Sequence, residues 1–165
     1  MLNATIALLA LLATAGIAHA QTAIVVRHAE RADAVAGGAM MMATDPELSE
    51  TGHARAEALA TVLKDAGITA IFATEYKRTQ QTAAPLAKRL GITVERVPSK
   101  DAAGLAAKVK AAKGNVLVVG HSNTVPATLK RLGIETPITI GESDHDDLFI
   151  VTLGHRPTLL RLHYR

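Results

Sequence analysis

Three short apolar runs in this chain each end in residues that can do chemistry. Residues 23–26 are followed by Arg27-His28-Ala29-Glu30, residues 68–73 by Thr74-Glu75-Tyr76-Lys77-Arg78, and residues 115–119 by Gly120-His121-Ser122-Asn123. If Arg27, His28, Arg78 and His121 met, two permanent cations and two imidazoles would surround one hollow. A guanidinium fork matches phosphate oxygens two at a time. A neutral imidazole can attack phosphorus, and clustered positive charge stabilises the oxygens over which the transition state spreads its charge. A helix beginning just after His121 would add backbone donors and a favourable dipole. The chemistry these residues would perform together is phosphoryl transfer.

Their meeting depends on the elements between them. Residues 23–26, 68–73, 92–97 and 115–119 are β-branched or otherwise apolar runs of strand length. Between them lie helical patterns. Ser49 offers an N-cap to a helix with Ala54, Ala58, Leu59, Val62 and Leu63 at helical spacing, closed by Gly67. Thr74 offers a cap to a second helix running to Gly91, residues 102–112 form a third, and a fourth runs to Leu132. Residues 148–153 and 158–164 pair through a turn at 154–157. Strands alternating with helices predict an α/β fold, a three-layer α/β/α sandwich with a mostly parallel central sheet and an antiparallel edge. Ligands of such sheets bind outside the carboxyl ends of the strands, where all three clusters would lie.

The same residues carry a family resemblance. Arg27-His28 after a strand, Leu48-Ser49-Glu50-Thr51-Gly52 opening a helix, Arg78-Thr79-Gln80-Gln81-Thr82-Ala83, and Gly120-His121-Ser122-Asn123 resemble the histidine phosphatase (phosphoglycerate mutase-like) superfamily, in family order from Thr22 to Pro126. The resemblance implies that His28 takes up the phosphoryl group as a phosphohistidine that water then hydrolyses. Arg27, Arg78 and His121 would grip the phosphate oxygens, with no metal and no cofactor. It also implies a small phosphorylated substrate, a phosphomonoester or phosphoramidate; a phosphohistidine protein phosphatase and a non-catalytic phosphate or polyanion binder are the alternatives.

The chain departs from the family pattern in places. Ala29 stands where the family often has glycine, and Ala34 where it often has asparagine. The usual proton donor has no clear counterpart, because Ser122 follows the second histidine; Asp101 is the first candidate for the general acid and Glu30 the second. Without an acid, substrates with good leaving groups, such as phosphoramidates and aryl phosphates, would be preferred.

Other features bound the reading. Residues 1–20 carry no charged side chain and end in Ala18-His19-Ala20, a pattern expected of a cleaved secretory signal peptide. The apolar run from Ile6 to Ala18, broken by Thr14 and Gly16, is short for a membrane anchor. A single domain over 21–165, secreted or periplasmic, is therefore expected, with no stable membrane insertion after cleavage. The absence of cysteine fits an exported chain that does without disulfides. With aromatic residues at only 2% of the chain, the core must be built from Ala, Val, Leu and Ile. A net charge of +3 fits a local anion pocket, and without an aromatic-interleaved basic stripe nucleic acid is not an expected partner. His53 reads as a surface residue, and Met40-Met41-Met42 as a wall or packing of the loop after His28. Residues 144–147, Asp-His-Asp-Asp, read as a loop entering a strand rather than a metal cluster. The basic C-terminus, with His155, Arg156, Arg161, His163 and Arg165, is not expected to form a site. Oligomeric state is not legible.

Overall fold

A computed structural model describes residues 20–34 and 45–164. The elements are β1 (Thr22–Arg27), a 3-10 turn (Ala32–Ala34), α1 (Glu50–Leu63), β2 (Ile68–Ala73), α2 (Lys77–Leu90), β3 (Val94–Arg96), α3 (Ala102–Ala111), β4 (Asn115–Gly120), α4 (Thr124–Arg131), β5 (Asp147–Thr152) and β6 (Thr158–His163). The strands form one sheet in the order β3-β2-β4-β1-β5-β6. The first four run parallel, while β5 is antiparallel to β1 and β6 to β5. The expected mostly parallel sheet with an antiparallel edge is the one observed.

Period-two alternation along the central strands splits their side chains between two helical layers. Ala23 and Val25 of β1 and Val116 and Val118 of β4 join Leu105, Val109, Val125 and Leu129 of α3 and α4. Ile24, Val26, Leu117 and Val119 join Leu59 and Leu63 of α1 and Leu86 of α2 on the other face. Because both faces are covered, these strands are apolar throughout, which is why they stand out in the sequence. Among the described residues no helix is long and apolar enough to cross a membrane.

Two boundaries differ from expectation. The third strand is three residues long, not six, because Gly91 takes a left-handed conformation (φ 66°) and the Ile92 amide turns back to the Ala87 carbonyl to close α2. The second helix begins at Lys77, with Tyr76 and not Thr74 at its cap position. Its first amide is taken from a distance, the Lys77 N–H donating to the Asp45 carboxylate at 3.0 Å. The Thr74 hydroxyl is engaged elsewhere, as described below.

The start of α1 is pressed against the loop leaving β1. Ser49 caps the helix, accepting from the Gly52 amide at 3.0 Å, and its own amide donates to the Glu30 carbonyl at 2.9 Å. A Cβ at Gly52 would lie 2.2 Å from that carbonyl oxygen. The obstacle is backbone, so no side-chain rotation relieves it. Gly52→Ala is expected to destabilise the fold by about 2–3 kcal/mol, the cost of overpacking a rigid contact; urea unfolding should show a lowered midpoint with an unchanged slope.

Candidate active site

The register of β1 against β4 places the two histidines. Arg27 pairs with Gly120 across the parallel ladder, and the His28 amide continues it by donating to the Gly120 carbonyl at 2.9 Å. His28 and His121 thus leave neighbouring strands at the same level, and their ring centroids lie 5.2 Å apart, inclined at 65°. On the far side of β4, β2 delivers Arg78 in the first turn of α2. Arg27, His28, Arg78 and His121 line one open cavity of about 380 Å³, together with Arg31, Tyr76, Lys100, Ser122, Asn123 and Glu142 among others. The four residues singled out in the sequence therefore meet.

The polar residues after Arg78 serve as struts. Thr79 donates to the Tyr76 carbonyl (2.8 Å), the Gln80 amide group to the Glu75 carbonyl (2.9 Å), and the Gln81 side-chain oxygen accepts from the Leu48 amide (2.8 Å). Thr82 accepts from the Ala29 amide at 3.0 Å and donates to the Arg78 carbonyl at 2.7 Å, tying the loop that carries His28 to the helix that carries Arg78. Ala29 itself is fully buried against Leu48 and Ala56, so its methyl group has a place where the family often has glycine.

The hydrogen bonds assign the tautomers. A carbonyl can only accept, so the 2.7 Å contact between His28 Nδ1 and the Ala29 carbonyl places the proton on Nδ1 and leaves the Nε2 lone pair available. His121 is the opposite tautomer. Arg78 donates toward its Nδ1 at 3.4 Å, while Nε2–H donates to the Thr74 hydroxyl at 2.9 Å, which in turn donates to Thr79 Oγ1. Burial lowers the His28 pKa to about 3, helped by the charges of His121, Arg78 and Arg27 and only partly opposed by the Ala29 hydrogen bond. Burial, then Arg78 and Arg27, lowers that of His121 to about 4, with Glu75 opposing. Both imidazoles are neutral at neutral pH.

The guanidinium groups are held but not saturated. Arg27 donates from one terminal nitrogen to the carbonyls of Gly141 (2.6 Å) and Glu142 (2.9 Å), and its other terminal nitrogen lies 3.6 Å from the Glu142 carboxylate. Arg78 stacks on Tyr76, 4.5 Å from the ring centroid, and lies 3.7 Å from Asp45. The Nε–H of each is buried with no acceptor among the described residues. Such donors suit an anion held between them, and α4 begins at the same cavity with Asn123 at its cap and Thr124 in its first turn.

The two general-acid candidates do not join the cavity wall. Asp101 caps α3, accepting from the Gly104 amide at 2.8 Å. Glu30 grips Arg55 through both oxygens at 2.6–2.9 Å; burial alone would raise its pKa, but the Arg55 hydrogen bonds outweigh it and hold the carboxylate ionised. A helix N-terminus claims the first and an arginine the second. Glu142 is the carboxylate that lines the cavity.

Several contributors were not singled out from the sequence. Tyr76 packs edge-on to His121 at 5.2 Å, and Thr74 fixes its tautomer. His145 Nδ1 donates to the His28 carbonyl at 2.9 Å, bracing the backbone under the nucleophile candidate. Residues 144–147 brace the loop into β5, as expected: Asp144 accepts from the Gly141 amide at 2.8 Å, and buried Asp147 is paired with Arg161 at 2.6 Å. Among the described residues no group of three or more His, Cys, Asp or Glu is arranged to hold a metal. His53 is exposed, whereas Met40-Met41-Met42 and Arg165 lie outside the described residues.

The lowered histidine pKa values have a consequence for stability. Between the unfolded value of 6.5 and the folded values of about 3 and 4, the unfolded chain binds more protons, so stability falls as pH drops through that window. Urea unfolding at pH 7 and pH 5 should show this loss, and His28→Gln should make it smaller; an equal loss in the variant would assign it to other groups.

The family model of the histidine phosphatase superfamily (branch 1) matches residues 23–99, the stretch carrying Arg27, His28 and Arg78. Comparison with curated proteins gives no match. Among solved structures, the chain is similar to mycobacterial glucosyl-3-phosphoglycerate phosphatase in complex with inorganic phosphate (20% identity, TM-score 0.66, covering 84% of this chain and 95% of that one). It is similar to phosphoserine phosphatase from Entamoeba histolytica in complex with 3-phosphoglyceric acid (16%, TM-score 0.65, 88% and 96%). A third is a candidate phosphohistidine phosphatase, SixA, from Agrobacterium tumefaciens (20%, TM-score 0.63, 87% and 97%). At these identities the likeness is one of fold. The chain thus matches the histidine phosphatase superfamily model over residues 23–99, a segment that builds part of the cavity wall, and shares its fold with these phosphatases over most of its length.

Proposed function

We propose that this protein is a phosphatase that hydrolyses a phosphomonoester or phosphoramidate through a phosphohistidine on His28. The observation that carries the reading is the neutral His28 imidazole with Nε2 unprotonated, in a cavity where Arg27 and Arg78 each keep a buried donor without an acceptor among the described residues. Nε2 attacks phosphorus, and the bond from phosphorus to the leaving oxygen or nitrogen breaks. The leaving group departs as its anion and takes a proton from solvent. Water then attacks the phosphohistidine, the P–N bond breaks, and orthophosphate is released. Arg27 and Arg78 hold the oxygens while charge spreads over them, and His121 joins them once the bound dianion draws a proton onto its Nδ1. The proposed steps use neither metal nor cofactor.

Glu142, the carboxylate on the cavity wall, is exposed and already engaged by the Arg27 guanidinium at 3.6 Å. Proton donation to a poor leaving group is therefore weakly provided, and aryl phosphates and phosphoramidates are the preferred esters and amides of the proposal. The same feature favours a second reading, a phosphohistidine protein phosphatase, which faster release of phosphate from phosphohistidine peptides than from small esters would support. Export belongs to the proposal as well. The 18–20 signal supports cleavage before Gln21, whose side chain already packs into the fold by donating to the carbonyls of Val109 and Ala112. The mature N-terminus is expected at Gln21 by mass spectrometry of the periplasmic or secreted protein.

His28→Ala should abolish hydrolysis of p-nitrophenyl phosphate. The wild type, quenched during turnover of labelled substrate, should carry an acid-labile, alkali-stable phosphoryl label that the variant lacks. Full affinity for phosphate without turnover would instead make the protein a phosphate binder. Arg78→Ala should raise the inhibition constant for orthophosphate by about tenfold or more, since a hydrogen bond to a charged group is worth about 1.5–3 kcal/mol; unchanged inhibition would remove Arg78 from the phosphate site.

A further inference from the structure

The cavity wall carries more positive charge than one phosphoryl group requires. Four permanent cations line it, Arg27, Arg31, Arg78 and Lys100, against the single carboxylate of Glu142. Three of the four have protein partners. Arg27 is held by the 141–142 carbonyls and lies near Glu142, Arg31 forms a two-point pair with Asp33 at 2.8 Å, and Arg78 lies against Tyr76 and Asp45. Lys100 differs from them. No carboxylate among the described residues pairs with its ammonium group, and residues 1–19 and 35–44 contain no Asp or Glu.

The backbone that carries Lys100 is braced. The Glu75 carboxylate accepts from both the amide and the hydroxyl of Ser99, at 2.7 and 2.9 Å. The Asp101 amide closes the turn onto the Pro98 carbonyl at 2.9 Å, and Asp101 then starts α3. An exposed lysine is thereby presented at a fixed place on the rim, beyond the end of β3. The imidazoles sit over the β1–β4 seam, and β3 lies two strands beyond β4. At about 4.8 Å between strands, Lys100 is rooted roughly 12 Å from the phosphoryl position, within reach of its long side chain for a molecule that spans the cavity.

We infer that Lys100 forms a second anion subsite, and that the substrate is a phosphorylated molecule bearing another anionic group, a carboxylate or a second phosphate, on its leaving-group side. The inference rests on the phosphatase reading for the identity of the substrate, but the subsite is defined by binding alone. The phosphoryl group neutralises Arg27 and Arg78; the second anion neutralises Lys100. Ser122 and Asn123, on the wall between, offer polar contacts to the body of such a molecule.

Phenylphosphonate and 4-carboxyphenylphosphonate test it by calorimetry, because neither is hydrolysed. The wild type is expected to bind the carboxylated ligand about fivefold more tightly, as one partly exposed charge pair contributes about 1 kcal/mol. In Lys100→Gln the affinity ratio should fall below about twofold, Lys100→Arg should retain most of it, and raising the salt to 0.5 M should shrink it in the wild type. A wild-type ratio near one, or a ratio unchanged in Lys100→Gln, overturns the inference. The corresponding phenyl phosphates separate the two readings. Turnover through phosphohistidine without a preference retains the phosphatase and removes the subsite, whereas a Lys100-dependent binding preference without turnover does the reverse.

Discussion

The site depends on one constraint, the parallel pairing of β1 with β4 in the register that sets Arg27 opposite Gly120. A parallel ladder brings the carboxyl ends of two strands to the same edge, so the residues that follow them, His28 and His121, emerge as neighbours. A shift of one residue would turn His28 to the other face of the sheet. Burial of both strand faces forbids that shift, because every side chain from Ala23 to Val26 has a place in one of two packed layers. The core that stabilises the fold is therefore also what aligns the imidazoles.

Placing two imidazoles and two guanidinium groups together at the edge of that core has an electrostatic cost. Burial pulls the histidine and arginine pKa values down, and each cation penalises the protonation of its neighbours. The protein resolves the conflict by keeping the imidazoles neutral and giving each a defined tautomer, through the Ala29 carbonyl for His28 and the Thr74–Thr79 hydroxyl pair for His121. The arginines remain charged, steadied by the carbonyls of the 141–142 turn and by Tyr76. A dianion entering the cavity relieves the repulsion, so the resting site is prepared for charge it does not yet hold.

The polar run from Thr79 to Thr82 shows how a motif can be informative about a site without touching the reacting atoms. Its side chains hold the Tyr76 turn, the 48 segment and the Ala29 amide, and so fix Arg78 relative to His28. That neither Asp101 nor Glu30 lines the cavity has a similarly local explanation. Asp101 and Glu30 stand near the ends of elements, where a helix N-terminus and Arg55 offer them stronger claims than a solvent-filled cavity does.

Much of this was legible in the chain itself. Apolar strands covered on both faces declare themselves as continuous runs, and arginine or histidine directly after such a run has to face the edge where ligands bind. The layer order, the antiparallel edge and the four residues Arg27, His28, Arg78 and His121 follow from that. What the sequence could not supply were pairings between residues remote in the chain. His145 supports His28 from 117 positions away because β5 lies antiparallel beside β1; the third strand is cut short by the closing turn of α2; and Lys100 keeps a charge unpaired among the described residues because its neighbours are spent on other bonds. Residue type and local period determine what a segment can form and do. Which partners are in reach is decided only when the strands have taken their order, since competition for hydrogen bonds and charges is settled in space.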